Sequence, residues 1–198
     1  MDDIWLMVDR QRASVADLFA GLDDEQWRRQ SLCAGWTVRD VGAHLTLQGQ
    51  PAIKAIGMAL RHLGPLNRVI ERSAQAAART LTTDQIVERQ RALIGRHVPN
   101  AFLTVGEALV DIVVHGLDVA VPLGLDLEIP DETVVATLDR LASYRGTSKA
   151  KVFGPVVADR FRATDVDWSF GTGDQAVQLP ARDLLLTLSG RTPVSASP

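Results

Sequence analysis

One cysteine, one tyrosine and four histidines are all that a chain of 198 residues contains of three residue types that often carry chemistry. Cys33 has no second thiol to pair with, which excludes an intramolecular disulfide and makes a reducing cytoplasm the expected compartment. Charge of one sign is lacking as well. The net charge is only -3, with acidic and basic residues interspersed, and this excludes the basic surface of a nucleic-acid-binding protein. No apolar run approaches the roughly 20 residues needed to span a bilayer. The opening MDDIWLMVDRQR lacks the basic-then-apolar order of a secretory signal. Internal repeats and low-complexity segments are also missing. With so few histidines, where each one stands becomes informative.

What is present is an ordinary globular composition, 46% hydrophobic and 23% charged, long enough to bury a core. Asp3 to Leu22 has helical apolar spacing at Ile4, Val8, Val15, Leu18, Phe19 and Leu22, and predicts an amphipathic first helix. In Ser31 to Leu45, Gly35 permits a turn, Thr37 is an N-cap and Asp40 stands at the third helical position. Trp36 and Val41 form a hydrophobic staple that fixes how the chain enters this helix, and so directs His44 toward the inward face. Cys33, just outside, reads as packing. The helix is expected to continue to about Leu63, before Gly64-Pro65. Further helices are predicted over residues 66 to 80 and from Thr82, whose capping box is completed by Gln85, to about Arg96. His62 and His97 fall near helix ends and receive no role.

Leu103 to Gly124 is the most apolar helix of the chain. Thr104 caps it and Glu107 completes the capping box. Asp111 and His115, four residues apart, project a carboxylate and an imidazole from one face. Valines, Ile112 and Leu117 surround them, so both groups need a partner: a metal ion, or hydrogen bonds to a second helix. After Gly124, Pro130 opens another helix. Beyond Gly154-Pro155 the pattern changes, because Arg160 to Phe170 alternates as a strand does, Gly171 to Asp174 reads as a hairpin turn and Gln175 to Leu179 as the return strand. A last helix from Pro180 to Ser189 ends at Gly190, followed by Arg191. The expected architecture is therefore mainly helical. Residues 1–150 are expected to form a bundle of helices, and residues 151–198 a small appendage of β-hairpin plus helix.

Helical bundles build ligand sites from inward residues on facing helices. His44 with Asp111 and His115 would make a set of two histidines and one carboxylate, leaving a position open as in catalytic zinc sites. The set also suits non-haem iron, nickel or manganese. The stretches CAGWTVRDVGAHL, DIVVHGLD and TDVDWSFG through ARDLLLTLSGR together resemble the mycothiol-dependent maleylpyruvate isomerase-like proteins, a branch of the DinB-like metal-binding four-helix bundles. The resemblance implies that His44, Asp111 and His115 bind a divalent metal, usually zinc, and that mycothiol is cofactor or co-substrate. It implies an S-transferase or isomerase acting on a small electrophile through a metal-bound thiolate. Asp118 matches the acid of the family's HGxD pattern and would orient a ligand histidine by bonding to its other ring nitrogen; Arg191 matches a closing GR and would hold a carboxylate of thiol or substrate. Asp111 departs from the glutamate of the isomerases. A side chain one methylene shorter must bring its helix closer or bind through water, and Glu107, one turn back, could substitute for it.

Two other readings stay open at this point. One is a non-catalytic bundle for ligand sensing or dimerisation, in which Asp111 pairs with a histidine. The other is a metal-dependent hydrolase that uses the open position for water. Expected partners are small molecules, with no nucleic acid and no membrane; a homodimer is compatible with the sequence.

Overall fold

The computed structural model describes residues 2–49, 57, 65–99, 103–144, 147, 160–174 and 176–191, and the chain divides into two compact units, Met1–Glu128 and Ile129–Pro198. The first unit is a helical bundle. Among the described residues its helices are α1 (Asp2–Ala20), α2 (Asp24–Arg28), α3 (Val38–Leu45), α4 (Leu66–Thr80), α5 (Thr83–Arg91) and α6 (Val105–Leu123). The second unit holds α7 (Asp131–Ala142), β1 (Arg160–Ala163), β2 (Ser169–Gly171), β3 (Val177–Leu179) and α8 (Ala181–Leu188). The division between these units falls ahead of α7, which packs on α8.

Local chemistry starts the bundle helices where the sequence predicts. Thr37 accepts from the Asp40 amide while Asp40 Oδ2 accepts from the Thr37 amide at 2.9 Å, a reciprocal capping box that anchors α3. Thr82 and Gln85 do the same for α5. On α6 the Glu107 carboxylate accepts from both the amide and the hydroxyl of Thr104, so this buried acid is engaged at the helix start. Gly124 closes α6 in the left-handed conformation, with φ 66°. α3 stops at Leu45, and a turn follows it through Gly49. Apart from Gly57, the expected continuation beyond Gly49 to Leu63, with His62, lies outside the described residues, as does the tail from residue 192.

The core of the first unit lies where α1 packs on α5 and α6, and where α3 packs on α4 and α6. Val8, Val15 and Phe19 of α1, Val41 and Leu45 of α3, and Ile112, Val113 and Leu117 of α6 are buried there. Gly116 sets how closely α6 can approach α1. A Cβ built on it would stand 2.7 Å from Leu127 Cδ2 and 2.9 Å from Val15 Cγ2, inside any real carbon contact. Glycine therefore backs α6 tightly onto α1 while its neighbour His115 faces away from that contact. Among the described residues no helix is long and apolar enough to cross a membrane.

In the second unit the sheet order is β2-β1-β3, with β1 antiparallel to β2 and parallel to β3. This corrects the expected hairpin. The reversal occurs within Thr164–Trp168 rather than at Gly171–Asp174, so the alternating stretch is folded back on itself and the final strand joins the other side of β1. Asp165 is the reason the turn sits there: its Oδ1 accepts from the Ala181 amide at 2.7 Å, tying the turn to the start of α8. Trp168 Nε1 donates to Asp139 Oδ1 at 2.8 Å, which fixes the sheet to α7.

Candidate metal centre

Two helices and one loop of the first unit meet at a cluster of titratable groups. His44 comes from the last turn of α3, Asp111 and His115 from successive turns of α6, and Cys33 and Trp36 from the loop joining α2 to α3. The loop is held from both ends. Val38 N donates to Arg29 O at 2.9 Å and Ser31 N to Trp36 O at 3.0 Å, closing it on itself, while Leu32 N donates to the Asp118 carbonyl at 3.0 Å and pins it to α6.

Within the cluster, Asp111 Oδ1 lies 3.5 Å from His44 Nε2 and 3.3 Å from His115 Nε2. The two imidazoles meet edge to face with centroids 4.8 Å apart. Trp36 covers both: it stacks on His115 at an interplanar angle of 6° and meets His44 at 69°. The three side chains keep 14% to 24% of their surface exposed, so the cluster is sheltered and still reachable from solvent. The other oxygen of Asp111, Oδ2, accepts from Gln48 Nε2 at 2.6 Å.

A second tier lies behind His115. Its Nδ1 is 2.8 Å from Asp118 Oδ2, and Asp118 is fully buried. A buried carboxylate that close is an acceptor, so Nδ1 carries the proton and Nε2 is the atom turned to the cluster. Cys33 Sγ donates to the same Asp118 oxygen at 3.0 Å and lies 3.7 Å from His115 Nδ1. Asp118 thus holds the imidazole and the thiol together.

Burial by itself would lower the His115 pKa, but hydrogen bonds to Asp111, Asp118 and Cys33 and the charge of Asp111 outweigh it, holding the pKa well above the usual histidine range. Burial would likewise raise Asp111; the charge of His44 and the hydrogen bonds of both histidines reverse that and hold it well below the usual carboxylate range. Without a cation the pair is therefore an imidazolium against a carboxylate.

The same donors suit a divalent cation. Ligand atoms bound tetrahedrally to zinc at about 2.0–2.1 Å are separated by roughly 3.4 Å. The two nitrogen–oxygen separations here, 3.3 and 3.5 Å, are of that size, and the free donor atoms of His44, Asp111 and His115 all lie within 4.8 Å of one another. Asp111 reaches both imidazoles directly despite being one methylene shorter than glutamate. Glu107, occupied with Thr104, is outside this cluster. Arg191 belongs to the second unit, where its Nη1 donates to Ser189 O at 2.6 Å at the end of α8.

Sequence reasoning missed Gln48 and the role of Cys33. Gln48 stands four residues past His44, the same spacing that draws attention to Asp111 and His115, and this was the available signal. Cys33 had none, because its partners are 82 and 85 residues away. Trp36 was legible only as a staple, not as a ring laid over both histidines.

Neither the curated proteins nor the solved structures contain a match to the chain. A family model does match, over residues 8–98, a stretch that contains Cys33, Trp36, His44 and Gln48 and ends before α6. By that match the N-terminal part of the chain, which brings the loop and the α3 histidine to the cluster on α6, is similar to the mycothiol maleylpyruvate isomerase N-terminal domain.

Proposed function

We propose that the protein is a metal-dependent, mycothiol-using enzyme, an S-transferase or isomerase for a small electrophile, working in the cytoplasm with zinc as its metal. The observation that supports this most is the convergence of His44 Nε2, His115 Nε2 and Asp111 Oδ1 at separations suited to one small cation, in a chain whose matched family is named for mycothiol. His44, Asp111 and His115 would hold the cation; Asp118 would keep His115 in the tautomer that turns Nε2 to it. Such a cation supplies Lewis acidity that keeps a thiol deprotonated at neutral pH. The chain's own part is orientation and shelter. Trp36 walls one side of the two imidazoles, and the partial exposure of the three side chains leaves an approach for a small thiol.

Calorimetric titration of zinc-loaded protein with mycothiol and with glutathione tests the reading. The expected result is that mycothiol binds with release of a proton, that glutathione binds at least about tenfold more weakly because it lacks the sugar portion, and that chelation abolishes both. Equal binding of the two thiols, or mycothiol binding unchanged after chelation, would reject the mechanism. It would favour the other arrangement this geometry supports, a metal-free bundle in which Asp111 is simply the counter-ion of His115.

A further inference from the structure

Gln48 sits just past the end of α3 and is 3% exposed. Its amide is half used. Nε2 donates to Asp111 Oδ2 at 2.6 Å, yet Oε1 accepts no hydrogen bond among the described residues. A buried carbonyl oxygen that accepts nothing loses its hydration without replacement, and proteins leave few such atoms. This one belongs to a side chain already bonded to the cation-facing carboxylate, and the planar amide keeps its two polar atoms within a few ångströms of each other.

We infer that Gln48 is a positioning residue of the metal centre: it commits Asp111 to binding through Oδ1 alone, and its own Oε1 accepts from an O–H or N–H of whatever molecule occupies the open position. This rests on the metal reading above. The physical reason is direct. A free aspartate can present both oxygens to one cation, which would take up the position that a substrate needs. With Oδ2 engaged by an amide donor, one oxygen is left to face His44 and His115. The orphaned Oε1 then marks where a proton-bearing ligand completes the site, and water serves when no substrate is present.

Cobalt(II) alone is the probe, because its visible spectrum reports coordination number and geometry. Gln48→Met keeps the length and apolar bulk of the side chain and removes both polar contacts. Relative to the parent protein, this variant is expected to bind cobalt about ten- to a hundredfold more weakly, as removal of the partners of metal ligands generally does. Its cobalt spectrum is expected to change in band position and intensity as Asp111 binds through both oxygens. A variant folded by circular dichroism with unchanged affinity and unchanged spectrum would overturn the inference while leaving the metal reading intact. No cobalt binding by the parent would reject both. Should the variant fail to fold, the nitrogen-15 spectrum of the parent decides: the Gln48 side-chain amide signals are expected to shift as one equivalent of zinc is added, and signals that stay in place would overturn the proposal.

Discussion

His44→Ala and His115→Ala should each bind zinc at least roughly a hundredfold more weakly than the parent protein, while Asp111→Glu should stay within about tenfold of it. Zinc bound by four protein ligands gains about 10–16 kcal/mol, so one ligand carries on the order of 3 kcal/mol, which is two factors of ten or more. Both histidines present Nε2 to the same Asp111 oxygen, whereas Cys33 and Asp118 lie behind His115 on its Nδ1 side. Glutamate conserves charge and donor type; its extra methylene is absorbed by torsions, at the cost of the Gln48 contact. His115→Ala also takes a partner from buried Asp118, so the comparison must be made at equal folded fraction by circular dichroism. Zinc content equal to that of the parent in all three variants would show that the ligands have been misassigned.

The second large effect is on pH. His115 is held well above its ordinary pKa, so in metal-free protein its contribution to stability is complete below about pH 6.5 and is lost as pH rises through the folded value. Asp111 is held well below its own, so its contribution is complete above about pH 4 and is lost as pH falls through the folded value. The ion pair therefore stabilises the metal-free bundle most between those limits. Zinc held by His115 would reverse this preference, because the cation needs the Nε2 lone pair and must displace the proton. Zinc affinity should fall about tenfold for each pH unit below the folded His115 pKa, and calorimetry in buffers of different ionisation heat should count about one proton released there per zinc. The gap in melting temperature between zinc-loaded and metal-free protein should widen as pH rises. A zinc affinity constant from pH 6 to pH 8 would contradict this.

What the sequence discloses and what it conceals divide along one physical line. Thr37 with Asp40 and Thr104 with Glu107 were readable because a capping box closes within four residues, and Asp111 with His115 because a helix repeats within one turn. The inward direction of His44 followed from the same local logic. Contacts made by tertiary approach have no such period. That Cys33 shares Asp118 with His115 depends on a loop and a helix 85 residues apart being brought together, and nothing near Cys33 encodes it. Gln48 lies beyond the last regular turn of α3, where helical spacing stops being a reliable guide. The sheet was misjudged for a related reason. Glycines at 171 and 173 are the stronger turn signal, but Asp165 gains a helix amide by turning earlier. A long-range hydrogen bond overrode a local preference.

The hydrogen bond from Leu32 N to the Asp118 carbonyl joins the α2–α3 loop to the backbone of the same residue whose side chain holds His115. Swinging this loop outward breaks that bond and the Cys33 contact together, and uncovers the imidazoles by removing Trp36. Loop opening would therefore strip the shelter from the two imidazoles and the thiol contact behind them, and a cation that binds the closed arrangement better opposes each opening by the difference between its two binding free energies. The Leu32 amide proton consequently keeps time for the site: its exchange with solvent deuterium should slow in proportion to zinc saturation, while amides on the exposed face of α4 continue to exchange at their former rates.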